Sequence, residues 1–116
     1  MSRFEVSSNG QHIGWSDLEL GDPPMGVAFG VLVPGPGYSR IQDQVRTSTQ
    51  HDQRHFNFTV RIVGGEEIRA SGASIADYSA DCGADGIEIV VLGIEYPDYA
   101  EVFPEHVEAY RRQFEI

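Results

Sequence analysis

The sequence predicts an α+β fold: a mostly antiparallel sheet of about six strands, with a short middle helix and a C-terminal helix packed on one face. Three observations support this prediction. Apolar and polar residues alternate in short runs, as they do in half-buried strands. Two of these runs end in tight-turn dipeptides, Asn9-Gly10 and Gly64-Gly65. Two other segments carry apolar residues at helical spacing. The 116 residues are predicted to form one domain, 1–116.

The N-terminal residues predict a β-hairpin. Residues 3–7 alternate in polarity, and Asn9-Gly10 suits a type I′ turn because both residues tolerate positive φ. The return strand is predicted over residues 11–18, before the prolines that follow Asp22 interrupt regular structure. The side chains expected to point inward from this hairpin are Phe4, Val6, Ile13 and Trp15.

Residues 26–33 predict a central strand that is buried on both faces, since nearly all of them are small or apolar. The alternation places four side chains on one face: Val27, Phe29, Val31 and Val33. Residues 34–37, which alternate proline and glycine, end this strand. A short helix is then predicted within residues 38–49, with Tyr38, Ile41 and Val45 on its apolar side.

A second hairpin is predicted around Gly64-Gly65. Its first strand covers residues 56–63, and its return strand starts near Glu66, bends at Gly72 and continues to Tyr78. The inward residues of the first strand are Phe56, Phe58, Val60 and Ile62.

The C-terminal part predicts one more strand and a helix. Residues 87–94 are almost continuously apolar, which is typical of a central strand. Pro104 suits the first turn of a helix, where its missing N–H costs nothing. The apolar side of this helix is predicted to hold Val107, Tyr110 and Phe114.

Acidic residues are concentrated in the last third of the chain. The net charge is −10, and residues 70–110 contain nine acids and no arginine, whereas the first 69 residues hold eight acids and six arginines. The nine acids are Asp77, Asp81, Asp85, Glu88, Glu95, Asp98, Glu101, Glu105 and Glu108. This charge disfavours direct binding to nucleic acid or to an anionic membrane, and it favours rapid docking onto a basic protein.

No motif indicates a catalytic residue, a metal site or a cofactor. Cys82 lacks a recognised flanking signature, and a lone cysteine is more often a small buried residue than a nucleophile. His51 and His55 are spaced like a zinc pair, but their segment is predicted to be a loop. A calcium loop starting at Asp81 fails, because Gly83 and Leu92 occupy positions that need oxygen ligands.

Two short runs resemble small uncharacterised bacterial proteins. One is residues 16–30, which include Asp22-Pro23-Pro24-Met25-Gly26-Val27-Ala28, and the other is Phe103-Pro104-Glu105-His106-Val107. Together they cover about a sixth of the chain. In its size and charge the chain also resembles immunity proteins, which neutralise bacterial toxins.

The charge and this resemblance predict a cytoplasmic, acidic protein-binding module, a monomer or homodimer, that blocks the active site of a basic toxin such as a nuclease. The alternatives are a phage-type inhibitor that mimics nucleic acid, and a small enzyme or ligand-binding protein. The predicted binding residues are Asp77, Asp81, Asp85, Tyr96, Asp98, Tyr99, Glu101 and Glu105.

Overall fold

The computed structural model describes residues 3–114 and confirms the α+β class, but it contains two four-stranded sheets where one sheet of about six strands was predicted. The first sheet has the order β5-β2-β1-β6 and the second β3-β4-β8-β7, with antiparallel neighbours throughout. The strands are β1 (Phe4–Ser8), β2 (Gln11–Ser16), β3 (Leu20–Asp22), β4 (Val27–Val31), β5 (Val33–Pro34), β6 (Phe58–Ile62), β7 (Gly72–Asp77) and β8 (Ile87–Leu92).

Four α-helices lie within residues 3–114: α1 (Gln42–Thr47), α2 (Ser79–Cys82), α3 (Asp98–Val102) and α4 (Pro104–Arg112). Short 3-10 helices occupy Pro23–Met25, Pro36–Arg40, Arg54–Phe56 and Ala84–Gly86. The predicted middle helix is therefore a 3-10 turn followed by α1, and the predicted C-terminal helix begins at Pro104 as expected.

The two sheets arise because the chain changes sheet after β2, β4 and β6. At the first change Leu18 adopts a left-handed φ of 45°. Its N–H donates to Ser16 Oγ at 3.0 Å, and its carbonyl lies 2.7 Å from His106 Nε2. At the third change the predicted return strand of the second hairpin does not form: residues 66–71 are joined to β6 by the isolated bridge between Arg61 and Glu67, and β7 begins at Gly72 in the second sheet. Alternation in the sequence marks a strand without indicating which sheet it joins.

The first hairpin forms with Asn9 and Gly10 at positive φ, as predicted, but the inward position of Trp15 is wrong. The register between β1 and β2 shifts after Val6, which is the signature of a β-bulge, so Val6 pairs with Gly14 and Ser7 with His12. An extra residue reverses the alternation, and Trp15 therefore lies on the outer face, with its ring 4.5 Å from that of His12.

The strands β4 and β8 occupy the central positions predicted for them, but they are buried on one face only. In β4 the core face carries Ala28, and the side chains of Val27, Phe29 and Val31 point outward and remain partly exposed. Only the face that carries Ala28 and Gly30 is buried, so the prediction of burial on both faces is wrong for β4. Val33 is 50% exposed because it has already passed into the first sheet.

Inward side chains of both sheets form a single hydrophobic cluster, and the helices close its two ends instead of covering one face. The 3-10 turn before α1 places Tyr38 against Asp77 at the end of β7. At the opposite end, Phe103 packs against Phe4, with ring centres 5.4 Å apart and ring planes tilted by 36°. On α4 the buried residue is His106, whereas Phe114 is 68% exposed, so its predicted place on the apolar side is wrong.

Candidate functional site

An acidic cleft of about 440 Å³ lies between α3, the start of β1 and the segment that follows the second hairpin. Its rim carries four carboxylates and two guanidinium groups over an apolar floor. The rim residues are Glu66, Glu67, Asp98, Glu101, Arg3 and Arg69, and the floor residues are Phe4, Ile62, Ile68 and Val102. A smaller cleft of about 250 Å³ shares Arg69 and Asp98 with it and adds Glu95.

Two local structures bring these carboxylates together. Asp98 and Glu101 are three residues apart on α3, so they project from the same side of the helix. On the other wall, Gly64 adopts φ 74° in the hairpin turn, and Ile62 N–H donates to the Glu66 carbonyl at 2.9 Å. The bridge between Arg61 and Glu67 then aligns the return segment with β6. Glu66 and Glu67 thus face α3 across the cleft.

Arg3 is held at the cleft wall by hydrogen bonds and by contact with aromatic rings. Its guanidinium donates to Glu105 Oε1, and also to the Val102 carbonyl at 2.8 Å. The same group lies 4.9 Å from the centre of the Phe4 ring. Burial would raise the pKa of the Glu105 carboxyl, but the hydrogen bond and charge of Arg3, a backbone hydrogen bond and the charge of His106 together outweigh it and lower this pKa. Arg3 therefore neutralises Glu105 and leaves Asp98 and Glu101 without an ion pair within 4.0 Å in the described part of the chain.

The predicted binding residues fall into separate places. Asp98 and Glu101 line the cleft, and Glu105 adjoins it through Arg3. Tyr96 is 54% exposed, as expected of a surface anchor. Tyr99 is fully buried, and its hydroxyl donates to the Val27 carbonyl at 2.8 Å, so its prediction as a surface residue is wrong. Burial also raises the pKa of the Tyr99 hydroxyl.

Asp77 is also wrongly predicted as a surface residue, because its side chain is 0% exposed. Its carboxylate accepts hydrogen bonds from Tyr38 at 2.6 Å and from the Ser79 hydroxyl at 2.6 Å. Burial would raise the pKa of Asp77, but the hydrogen bonds from Ser79, Tyr38 and Gln42 outweigh it and lower the pKa. Burial and this contact raise the pKa of the Tyr38 hydroxyl. Asp77 is therefore a structural carboxylate.

Asp81 and Asp85 are exposed, but they lie at the other end of β8 from the acidic cleft. A six-residue strand separates the two groups by about 20 Å, at about 3.3 Å per residue. The acids of residues 77–108 therefore do not form one continuous surface. Glu66 and Glu67 also line the cleft, but they are not among the predicted binding residues. The sequence does carry a signal for them, because two adjacent acids directly after a Gly-Gly turn indicate an exposed loop.

The other chemistry-bearing residues do not converge. Cys82 is exposed at the end of α2, which contradicts its prediction as a buried residue. A catalytic Cys82 would need a histidine base, and His106 is instead bonded through Nε2 to the Leu18 carbonyl at 2.7 Å. Within residues 3–114 no group of three or more His, Cys, Asp or Glu side chains is arranged to hold a metal ion. Nor does any helix in this range have the length and apolarity needed to cross a membrane.

Comparison of this chain with known protein families, with curated proteins and with solved structures found no match. The acidic cleft is therefore interpreted from its own geometry.

Proposed function

We propose that this protein is a protein-binding module whose acidic cleft receives an arginine or lysine side chain of a basic partner protein. The observation that supports this most is the arrangement of four rim carboxylates above an apolar floor in a cleft of about 440 Å³. A cationic side chain has the complementary form, since its aliphatic stem packs on apolar surface while its head remains at a polar rim.

The electrostatics of the cleft favour such a guest. Arg3 is committed to Glu105 and Val102, so the carboxylates of Asp98 and Glu101 remain available to an incoming cation. An arginine guanidinium gains most here, because it forms paired hydrogen bonds with carboxylates. The net charge of −10 adds a long-range field that speeds the approach of a basic protein.

The more specific form of the proposal is an immunity-type inhibitor that acts in the cytoplasm and blocks a basic bacterial toxin such as a nuclease. Active sites that bind nucleic acid are positively charged, and an acidic cleft is complementary to arginine or lysine residues at such a site. A mimic of nucleic acid is less well supported, since its charges would follow a continuous row. Here Asp81 and Asp85 lie at one end of β8, and the cleft lies at the other.

The cleft is tested first with a defined probe, N-acetyl-arginine amide, titrated into the labelled protein and followed by NMR. We expect saturable shifts at the amides of Asp98, Glu101 and Glu67, and loss of these shifts in the variant Asp98→Lys, Glu101→Lys. The variant Asp81→Lys, Asp85→Lys is the matched control, since it changes the net charge equally at the far end. Equal weakening in both variants would show that only the overall charge attracts the probe.

The partner is then sought by pull-down at low and moderate salt, and its association is measured with the same two variants. We expect the cleft variant to slow association at least about tenfold at low salt, and the control variant to have a much smaller effect. A partner that associates at the wild-type rate with the cleft variant would contradict the proposal.

A further inference from the structure

The outer face of the second sheet, which points away from the core, is apolar and open. It carries Leu20, Val27, Phe29, Val31, Val90 and Leu92. The pairing register places Leu20, Phe29 and Val90 in one row across three strands. Leu20 is 54% exposed and Leu92 is 45% exposed, and a Cβ added to Gly72, opposite Leu92, would meet nothing within 4 Å. Contiguous apolar surface of this kind marks an interaction site more often than scattered single residues do.

The outer face of the first sheet is different. There Glu5 pairs with Arg61 and Ser7 pairs with Thr59, so charges and hydroxyl groups occupy the outward positions of β1 and β6, whereas the apolar outward residues are Trp15 on β2 and Val33 on β5. Outward residues of an antiparallel sheet are commonly polar when the sheet faces water, and β1 and β6 of the first sheet follow this rule. The central strands β4 and β8 of the second sheet depart from it, because most of their outward residues are apolar.

The charges on this face select the kind of partner. The four strands of the second sheet contain no arginine or lysine. Two acids lie on the outer face: Asp22 pairs with Val27 at one end, and Glu88 pairs with Val31 at the other. A second copy of this chain would bring the same acids together with no base to pair them, and both molecules have a charge of −10.

The β7 edge of this sheet is not suited to docking a partner strand. At β7, Gln53 uses both ends of its amide to bind the backbone of Ile75, at 2.7 and 2.8 Å. Thr49 Oγ1 accepts from the Asp77 N–H at 3.1 Å. These side chains occupy the hydrogen-bonding groups that an added strand would need, so a partner approaches the face and not this edge.

We propose that the outer face of the second sheet docks a partner protein that presents an apolar patch flanked by arginine or lysine residues. The apolar side chains of Leu20, Phe29 and Leu92 supply buried area, and Asp22 and Glu88 pair with the flanking cations. This surface is distinct from the acidic cleft, so the two proposals succeed or fail separately.

The test uses a synthetic amphipathic helical peptide whose leucine stripe is flanked by lysines, titrated into the labelled protein and followed by NMR. We expect saturable shifts at Leu20, Phe29, Val90 and Leu92, and no comparable binding of a peptide in which glutamates replace the lysines. The variant Leu20→Thr, Leu92→Thr should weaken binding about tenfold or more, since it removes the most exposed apolar contacts. Val33→Thr, at a 50% exposed apolar residue of the first sheet, is the matched control.

Three results would overturn the proposal. The first is a peptide that shifts only residues of the acidic cleft, which would leave the cleft proposal intact. The second is equal binding by the wild type and by the Leu20→Thr, Leu92→Thr variant when that variant is folded by circular dichroism. The third is a concentration-dependent dimer, seen by analytical ultracentrifugation and abolished by that variant, which would identify a second copy as the occupant.

Discussion

Asp77 and Asp98 belong to the same acidic stretch of sequence, yet they lie in opposite environments at the two ends of the second sheet. Asp77 is inaccessible to solvent and is bound by Tyr38 and Ser79. Asp98 lines an open cleft and makes no ion pair within 4.0 Å among residues 3–114. The comparison shows that the acids of this chain are of two kinds. Buried acids such as Asp77 stabilise the fold, and exposed acids such as Asp98 remain accessible at the surface.

The largest effect that distinguishes the two ends is expected at Asp77. Replacement by alanine leaves Tyr38, Gln42 and Arg46 without their shared acceptor, and each lost hydrogen bond to a charged group costs about 1.5–3 kcal/mol. Urea denaturation measures this loss. Asp81→Ala, at an exposed acid nearby, should change stability by less than about 0.5 kcal/mol. Similar losses in the two variants would show that Asp77 is not the centre of the network.

The second prediction concerns pH. The pKa of Asp77 is lower in the folded protein than its usual value, so its contribution to stability is present above the unfolded pKa, about 3.9, and is lost as pH falls through the folded pKa. We expect the free energy of unfolding to fall below about pH 4, and the Asp77→Asn variant to show a shallower fall. Glu105 titrates in the same direction, but its pair with Arg3 is about half exposed and contributes less.

Local structure was largely predictable from this sequence. Asn9-Gly10, Gly64-Gly65 and Pro104 each determine a turn or a helix start through their own backbone preferences, and each is found where predicted. The division into two sheets was not predictable, because it depends on long-range contacts such as that of Leu18 with His106. The outward direction of the Trp15 side chain was not predictable either, because one inserted residue in β2 reverses the alternation beyond it.

The candidate site was only partly predictable. Asp98 and Glu101 could be found because acids on a short helix are seldom buried. Asp77 could not be distinguished from them, since its hydrogen-bonding partner Tyr38 is distant in sequence. Glu66 and Glu67 belong to the nearly neutral part of the chain, and only the fold brings them to α3. Charge counting therefore located two of the four rim carboxylates.

A smaller effect is expected at the cleft end of the molecule, where His106 ties α4 to the chain crossing at Leu18. In His106→Phe the aromatic stack on Phe103 is retained, but the Leu18 carbonyl loses its partner, which costs about 1–3 kcal/mol. His51→Phe, at an exposed histidine in a loop, is the control and should have little effect. A loss at His106 as small as in the control would mean that water replaces the lost hydrogen bond.

The smallest effect on stability is expected for the acids of the acidic cleft. An unchanged free energy of unfolding there would show that these acids do not stabilise the fold. Glu101→Gln keeps the shape of an exposed side chain that makes no ion pair in the described residues, so its free energy of unfolding should change by less than about 0.5 kcal/mol. The same variant should weaken binding of N-acetyl-arginine amide, because one rim charge is removed. Unfolding and NMR titration of the same sample separate the two effects. Should Glu101→Gln lower stability as much as a change at Asp77, the cleft acids would be structural, and the difference between the two ends would disappear.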